Sequence, residues 1–437
     1  MKESIKTFIK EHKVALICFT ISVIAITATV TYAIAFNVAM SNFNQKIAGV
    51  NERQSMFKKL SEVDQAVRQD YIGKIDEKVL QESLCNGYID GLPDSYSFYM
   101  SEELYKMYSA IEAGKAFNIG VTIMENSSGQ IEVIDVQDAS PAQNAGIQKG
   151  DVLLKIDNVT IDSDSYKEAL IRLTGTPGTV LNIQLLRNQD VARPETLKVS
   201  VTCAKTTIKN IGYSMINNKV GHISIYRFDD LILKNFEAAM ADLNSQGAES
   251  YIIDLRNNFI GKMEYSAQVL DYLLPSGDLI SILDKDGQQK LIYSSGASSV
   301  NSKFTVLINS NTSGAGEIFA SAMKDYNAAK IIGERASGKT TSDKVVSLSD
   351  GSAVLLPVAH YVTKNSGILT GVGLIPDQVV TLSTTDRTLL DIGELALDKD
   401  IQVQEALKEL LGDAYNQDSN KDESQQENEV ESHVSEN

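Results

Sequence analysis

Residues 309–320 read Asn-Ser-Asn-Thr-Ser-Gly-Ala-Gly-Glu-Ile-Phe-Ala, a polar turn that contains two glycines. The apolar run Lys303–Asn309 leads into this turn and predicts a buried strand, and the segment Glu317–Tyr326 after it predicts a helix. The same alternation is found upstream, in the predicted strands Val220–Ile225 and Tyr251–Asp254 and the predicted amphipathic helix Asn235–Leu243. Strands that alternate with helices in this way predict βαβ units and an α/β fold.

Between Phe117 and Arg187 the pattern changes to short strands and turns. Five segments follow in order: Phe117-Asn-Ile-Gly-Val121, Ile131–Asp135, Ser140–Ile147, Lys149–Asp157 and Leu181–Arg187. Their order is similar to that of a bacterial PDZ domain. The resemblance implies that Phe117, Asn118, Ile119 and Gly120 form a loop that receives a peptide carboxylate on exposed backbone N–H groups, beside a strand that accepts the peptide by β-augmentation. Simple turn chemistry is the alternative explanation of Gly120.

The register Gly314-Ala-Gly-Glu-Ile318 resembles Ser-Ala-Ser-Glu-Ile, the nucleophile segment of the carboxyl-terminal processing peptidases, which are PDZ-containing serine peptidases of the S41 type. Asp254–Gly261 is similar to that family's Asp-Leu-Arg-Asn-Asn-Pro-Gly-Gly, and Gly338-Lys339 and Gly371–Asp377 match as well. The resemblance runs from about Lys78 to Leu411. It implies an α/β peptidase core of the S41 type, which is ClpP/crotonase-like, with an inserted PDZ domain of the β-sandwich-like kind.

The family uses a Ser/Lys dyad, in which a neutral lysine amine takes the proton of the serine hydroxyl. Carried over by register, Lys339 is the family base and Gly314 occupies the nucleophile position, where the hydroxyl is lost. Asp343 stands where the family has a Gln that orients the amine. A carboxylate there would hold the amine of Lys339 in its charged form, which is the wrong state for a base. A surface lysine paired with Asp343 is the alternative explanation of Lys339.

The resemblance places the oxyanion region at Ala315, Ile260 and Gly261. Ile260 stands where the family has a glycine, and a β-branched side chain is a poor substitute if that position requires positive φ. Together with Gly314 and Asp343, this substitution predicts an inactive site.

Ser313 is the candidate substitute nucleophile, one residue before the expected position. A side chain displaced by one residue points elsewhere, and a misplacement of about 1 Å can cost on the order of a hundredfold in rate. We therefore expect Ser313 and Thr312 to cap the following helix instead, with Glu317 as an acid of its first turn.

The amino-terminal segment predicts a membrane anchor. Four lysines, Lys2, Lys6, Lys10 and Lys13, precede an uncharged apolar run, Val14–Phe36, which is long enough to cross a bilayer as a helix. Lysines on the near side predict a cytoplasmic N-terminus and an extracytoplasmic remainder, so the expected location is the cell membrane with a single pass. A cleaved signal peptide ending near Ala33-Ile-Ala35 is the alternative.

The composition excludes several classes of protein. A formal net charge of −17 argues against nucleic acid as a partner. Eight acids and one lysine between Asp413 and Asn437 predict a disordered acidic tail. Cys85 and Cys203 are expected to be buried and unpaired. Of the four histidines only His222 and His360 fall in the expected fold, so neither a metal site nor a histidine-based serine triad is expected.

The sequence therefore predicts seven regions. They are a cytoplasmic N-terminus (1–13), a transmembrane helix (14–36), a stalk (37–77), a helical part of the peptidase region (78–113), a PDZ domain (114–204), an S41-like core (205–412) and a disordered acidic tail (413–437).

We expect a membrane-anchored pseudo-peptidase that binds C-terminal peptide segments of extracytoplasmic or membrane proteins without cleaving them. The alternatives are an active processing peptidase with a substitute nucleophile and a PDZ scaffold protein. No cofactor is expected, and a second copy of the chain, giving a homodimer, is a further candidate partner.

Overall fold

The computed structural model of the chain describes residues 13–94, 96–126, 128–187, 194–206, 209–296 and 299–412. For residues 13–21, 25, 37–39, 41–49 and 164 only the backbone is described. Two compact units divide between Gln81 and Glu82. The expected acidic tail, 413–437, lies outside the described residues.

The first unit contains a long helix, α1 (Lys13–Asp70). Near its end Arg68 pairs with Asp64 (Nε–Oδ1 2.9 Å) and Glu77 (Nη1–Oε1 2.7 Å). The predicted membrane segment Val14–Phe36 falls in this helix. Among the residues that the structure describes, no helix combines the length and the apolar character that crossing a membrane requires, so the predicted transmembrane helix is not supported.

Two short helices follow α1 along the chain. They are α2 (Glu77–Asp90) and α3 (Glu102–Glu112), and they coincide with the predicted helical part, residues 78–113. The hydroxyl of Ser101 accepts a hydrogen bond from the Leu104 N–H (3.3 Å), which caps α3. The short strand β1 (Phe98–Met100) precedes α3.

Residues 117–202 contain an antiparallel sheet, a separate pair of short strands and two helices. Its elements are β2 (Phe117–Asn118), β3 (Val121–Glu125), β4 (Ile131–Val136), α4 (Pro141–Asn144), β5 (Val152–Ile156), β6 (Val159–Thr160), α5 (Tyr166–Arg172), β7 (Thr174–Gly175), β8 (Val180–Arg187) and β9 (Glu195–Thr202). The sheet order is β3-β4-β5-β8-β9, with β6 on β5, and β2 pairs with β7. The core includes Ile119, Ile123, Leu173 and Ile183.

The remainder alternates strands and helices, as the sequence predicts. In order these elements are β10 (Ile211–Ile216), β11 (Val220–Ile225), β12 (Arg227–Phe228), α6 (Ile232–Ser245), β13 (Ser250–Asp254), β14 (Ile260–Gly261), α7 (Met263–Leu273), β15 (Gly277–Asp284), β16 (Gln289–Ser295), β17 (Lys303–Ile308), α8 (Ala315–Asp325), β18 (Ala329–Gly333), β19 (Thr341–Ser347), β20 (Ala353–Val362), β21 (Gln378–Val379), α9 (Thr384–Asp391) and α10 (Ile401–Leu411).

The main sheet has the order β10-β11-β13-β17-β18-β21 and is parallel from β11 onward. Its central strands β13 and β17 are largely apolar, because both faces of the sheet are covered. Ile253 and Val306 pack on the side of α6, α7 and α8, whereas Ile252 and Leu307 pack against α10. A second sheet, β1-β20-β15-β16 with β19 on β20, is antiparallel.

A buried ionic network joins the main sheet to α10. The guanidinium of Arg256, just past β13, donates to Asp254 (Nη2–Oδ2 2.6 Å) and to Asp400 (Nη1–Oδ2 2.6 Å). Asp400 also caps α10 by accepting from the Gln402 and Val403 N–H groups. Burial alone would raise the pKa of Asp254, but the charge of Arg256 and a contact from His222 hold that pKa well below its usual range. The network therefore stays charged and fixes the segment after β13.

The cysteine and histidine predictions hold in part. Cys203 is buried and free, as expected, whereas Cys85 is free but only half-buried. His222 lies in β11 and His360 in β20, each within a strand.

Candidate active site

The turn between β17 and α8 is sharp, and Gly314 lies at its apex with φ 55° and ψ −119°. Non-glycine residues rarely adopt this conformation. A Cβ atom added to Gly314 would make only an ordinary van der Waals contact, with the carbonyl oxygen of Lys339 at 3.8 Å. The Gly314 N–H donates to that same oxygen (2.8 Å). The turn therefore has the shape of a strained nucleophile position and room for a side chain, but it carries none.

The residues before Gly314 are held by hydrogen bonds of their own. Thr312 Oγ1 donates to the Leu255 carbonyl (2.8 Å) and accepts from the Asn309 N–H (3.0 Å). Ser313 is only 6% exposed, and its N–H donates to the Asn258 carbonyl (2.9 Å). The expectation that Ser313 and Thr312 cap the helix is wrong. Gly314 itself is the N-cap of α8, without a side-chain bond, because the chain turns one residue later than expected.

Gly316 is a second glycine of the turn at which a side chain would not fit. A Cβ atom at this position would lie 2.6 Å from Oδ1 of Asn258, which is too close. Nδ2 of Asn258 donates to the Ile225 carbonyl (2.7 Å), whereas Oδ1 is buried with no hydrogen-bond partner in the described part of the chain. The second serine of the peptidase motif would therefore require Asn258 to move.

Glu317 is buried, and the sequence did not predict its role. Its carboxylate turns away from the helix N-terminus and accepts hydrogen bonds from the N–H groups of Leu374 (2.9 Å) and Gly338 (3.0 Å). Burial raises the pKa of Glu317 to about 7, and the bonds from Leu374, Gly338 and Lys339 oppose this rise. One carboxylate therefore holds α8, the lysine loop and the 374 loop together.

Lys339 follows Gly338 in this loop and is exposed. The expected pair between Lys339 and Asp343 does not form in the described part of the chain. Instead, Asp343 accepts from the Thr341 hydroxyl (2.9 Å) in β19. Burial of its carboxyl group raises the pKa of Asp343, whereas a tight lysine pair would lower it. No ion pair joins Asp343 to Lys339, so the geometry does not support the expectation that Asp343 holds Lys339 in its charged form.

The oxyanion region is built from two segments. Ala315 is buried in the first turn of α8, and β14 (Ile260–Gly261) pairs with β12. The expectation that Ile260 requires positive φ is wrong, since Ile260 lies in an ordinary strand and the positive φ (150°) belongs to Gly261. A Cβ on Gly261 would lie 2.7 Å from the Phe228 backbone. The close pairing of β12 with β14 explains this glycine.

The turn before β1 also contacts the lysine loop. Asp94 Oδ1 accepts from the Tyr96 N–H (2.8 Å) and the Ser97 N–H (2.7 Å), which fixes the turn. The Tyr96 hydroxyl then donates to the Gly338 carbonyl (3.1 Å). The loop that carries Lys339 is thus held from this side as well.

Lys167 of α5 approaches the same region, although it lies in a different domain by sequence. Its Nζ donates to the Ser97 carbonyl (3.2 Å) and lies 5.7 Å from the Phe98 ring centroid. Burial lowers the pKa of Lys167, and the positive charge of Lys339 lowers it further. Sequence reasoning missed Lys167, because nothing in a single helical lysine indicates a neighbour about 170 residues away.

The loop Phe117–Gly120 has the expected position before β3 but not the expected open N–H groups. Gly120 is buried and has φ 92°, and its N–H and that of Val121 both donate to Oδ1 of Asn118 (2.7 and 2.9 Å). The Ile119 N–H donates to the Leu173 carbonyl (3.1 Å). The expectation of exposed donors is wrong for this structure, because an Asn side chain readily bonds to backbone two or three residues on.

Among the residues that the structure describes, no group of acidic, histidine and cysteine side chains is arranged to hold a metal ion.

Comparison with known proteins follows the same division of the chain. Residues 219–380 match a family model described as Peptidase family S41, residues 118–201 a PDZ domain, and residues 24–104 the N-terminal domain of the activating protease CtpB. The chain is 28% identical to a carboxyl-terminal-processing protease of Synechocystis over 323 residues, which cover 74% of each chain.

The chain is also 28% identical to the carboxy-terminal processing protease CtpA of Bacillus subtilis, over 81% of this chain and 75% of the relative. Among solved structures it is similar to a photosystem II D1 C-terminal processing protease, with a TM-score of 0.54 and 23% identity. That match covers 81% of this chain and 91% of the other. This structural similarity shows a shared fold.

The burial of Glu317 predicts a pH-dependent stability. Its pKa in the folded chain, about 7, lies above the ordinary 4.5, so its stabilising contribution is complete below pH 4.5 and is lost as the pH rises through 7. The expected loss is about 3 kcal/mol in the free energy of unfolding. Urea unfolding measures the free energies of unfolding of wild type and Glu317→Gln between pH 4.5 and 8. The wild-type value minus the Glu317→Gln value should decrease by that amount as the pH rises.

Ser321→Ala is the control for this prediction, because it removes a buried hydroxyl of the same helix that bonds to Thr363 (2.8 Å) and no titrating group. Its stability should differ from wild type by the same amount at every pH. A gap between wild type and Glu317→Gln that stays constant across the range would contradict the assignment.

Proposed function

Because the chain belongs to the carboxyl-terminal processing peptidases of family S41, we propose that it is a pseudo-peptidase of that family, which binds C-terminal peptides without cleaving them. The observation that carries this proposal is the glycine at position 314. It occupies the strained turn where the family places its serine.

The neighbours of Gly314 support the same proposal. Thr312 is committed to two hydrogen bonds, and Ser313 is nearly inaccessible. Gly316 and Ile260 are further departures from the family's pattern in the same site. The loops around the site nevertheless remain in contact through Glu317 and Tyr96, so a peptide could be held there without being attacked.

The alternative is an active processing peptidase. The relatives named above are proteases, and Lys339 is present and exposed. This alternative requires a nucleophile that the sequence does not supply at the family position. The peptide-hydrolysis experiment described below decides between the two functions.

We also propose that the chain is anchored in the cell membrane by residues 14–36, with the N-terminus cytoplasmic and the bulk outside. The support is the sequence: lysines before an uncharged apolar run of sufficient length. The peptides bound would then be the C-terminal ends of extracytoplasmic or membrane proteins.

The purified chain should hydrolyse no peptide in a degenerate pool, as read by mass spectrometry, because no hydroxyl occupies position 314. Gly314→Ser should restore little activity, since Ile260, Gly316 and Asp343 still stand where the family has other residues. It should also cost about 1–3 kcal/mol in the free energy of unfolding, because serine must adopt φ 55° and ψ −119°.

Gly314→Ala is the matched control, with the same backbone cost and no hydroxyl. Turnover by wild type that disappears in Ser313→Ala would overturn the pseudo-peptidase proposal. Efficient cleavage by Gly314→Ser but not by Gly314→Ala would show that the other departures are harmless.

A free carboxylate on the peptide should matter for binding. Amidating the C-terminus of pool peptides should weaken binding markedly, because the charge-assisted bonds to the backbone of the Phe117–Gly120 loop are lost. Fluorescence anisotropy with the full chain and paired acid and amide pools measures this. Equal affinity for both pools would exclude recognition of the C-terminus.

The proposed topology predicts the outcome of protease treatment of intact protoplasts. Everything after about Ala39 should be degraded and only a short N-terminal fragment spared, because the lysines retain the N-terminus inside. Full protection of the chain would invert the topology. A mature N-terminus near Phe36 would instead indicate a cleaved and released protein.

A further inference from the structure

The loop Phe117–Val121 is already occupied by one of its own side chains. Asn118 Oδ1 accepts the N–H groups of Gly120 and Val121 at 2.7 and 2.9 Å, so two neighbouring backbone donors converge on a single oxygen. A peptide carboxylate makes the same kind of contact when it is captured by backbone N–H groups. The Asn118 amide oxygen therefore stands where a ligand oxygen would bind.

The rest of the loop is fixed around this contact. The carbonyl of Asn118 accepts from the Thr206 hydroxyl (2.7 Å), and the carbonyl of Gly120 accepts from the Gln137 N–H (2.8 Å). A Cβ on Gly120 would lie 2.2 Å from Cβ of Ser140, so the loop backbone cannot shift toward that residue. A ligand can gain the two N–H groups only if the Asn118 side chain rotates away.

The strand that would accept the peptide backbone is closed as well. Among the described strands β3 pairs only with β4, which leaves its other edge beside α5. Tyr166 of α5 covers this edge by donating its hydroxyl to the Ile123 carbonyl (3.3 Å). Both the carboxylate end and the strand edge of the groove therefore carry internal partners.

We propose that Asn118 is an affinity-determining residue of the PDZ groove, a side-chain competitor that a peptide carboxylate must displace. This proposal rests on the proposed function, since it concerns the same peptide-binding loop. Asn118 is half-buried and neutral, so it satisfies the two donors less strongly than a carboxylate would. A peptide with a free C-terminus can replace it, whereas an amidated peptide gains little by doing so.

The test uses the purified full chain and degenerate eight-residue peptides with free or amidated C-termini, read by fluorescence anisotropy. Asn118→Ala should bind the acid pool about tenfold more tightly than wild type, because no internal hydrogen bonds are lost on binding. Asn118→Asp should bind the acid pool about tenfold more weakly, since a charged oxygen holds the same N–H groups and repels the ligand. Affinity for the amide pool should change little in either variant.

Asn126→Ala is the matched control. Oδ1 of Asn126 also accepts two backbone N–H groups, from Ser128 (3.0 Å) and Gln130 (3.1 Å), but in the hairpin at the far end of β3. It should leave peptide affinity unchanged. Hydrogen exchange gives a second readout, because the Gly120 and Val121 amides should exchange faster in Asn118→Ala and keep their protection in Asn118→Asp.

Equal affinity of wild type, Asn118→Ala and Asn118→Asp for the acid pool would overturn the proposal while leaving the proposed function intact. Unchanged exchange of the Gly120 and Val121 amides in Asn118→Ala would overturn it too, even if that variant bound peptides differently. If none of the proteins bound the acid pool, the proposed function would fail together with the proposal.

Discussion

The carboxylate of Glu317 is the contact on which the candidate site depends. It leaves the first turn of α8 and accepts backbone N–H groups from the lysine loop and from Leu374, which adds a side-chain link between segments that backbone hydrogen bonds also join. A buried carboxylate without a cation is costly, and it is tolerated here because several donors converge on it. None of these bonds involves a nucleophile. The contacts that shape the site therefore do not depend on a hydroxyl at position 314.

At Gly314, too, the backbone conformation of the site is present without a side-chain hydroxyl. The turn has φ 55° and ψ −119°, which a serine would adopt only at a cost of about 1–3 kcal/mol. Glycine adopts this conformation without that strain. The turn is therefore more stable with glycine than it would be with a serine nucleophile at the same position. The S41 fold and the PDZ domain are thus fully compatible with a site that binds without cutting.

Much of the fold could be predicted from the sequence, because the spacing of apolar residues indicates which face of an element is buried. The helices α2 and α3 and the largely apolar strands β11, β13 and β17 follow from spacing, since a strand that is buried on both faces is mostly apolar. Gly314 could be placed by register. The alternation of elements after Cys203 was sufficient to predict the α/β class.

Side-chain directions within the site could not be predicted in this way. Glu317 has the pattern of a helix-capping acid yet binds two distant loops, and Asp343 has the right spacing to pair with Lys339 yet bonds to Thr341 because β19 directs it there. Lys167 reaches Ser97 across 70 residues of sequence. Such contacts are set by tertiary packing, and local sequence carries no record of them.

The hydroxyl of Tyr166 on the Ile123 carbonyl has a consequence for solubility. A strand edge that is open enough to accept a peptide is equally open to a strand of another protein molecule, and such edges are where sheets join and aggregates begin. A permanently open edge would therefore be a hazard wherever unfolded or partly folded chains are present. A hydroxyl that covers one carbonyl weakly closes the edge to chance encounters and still yields to a ligand that brings its own carboxylate.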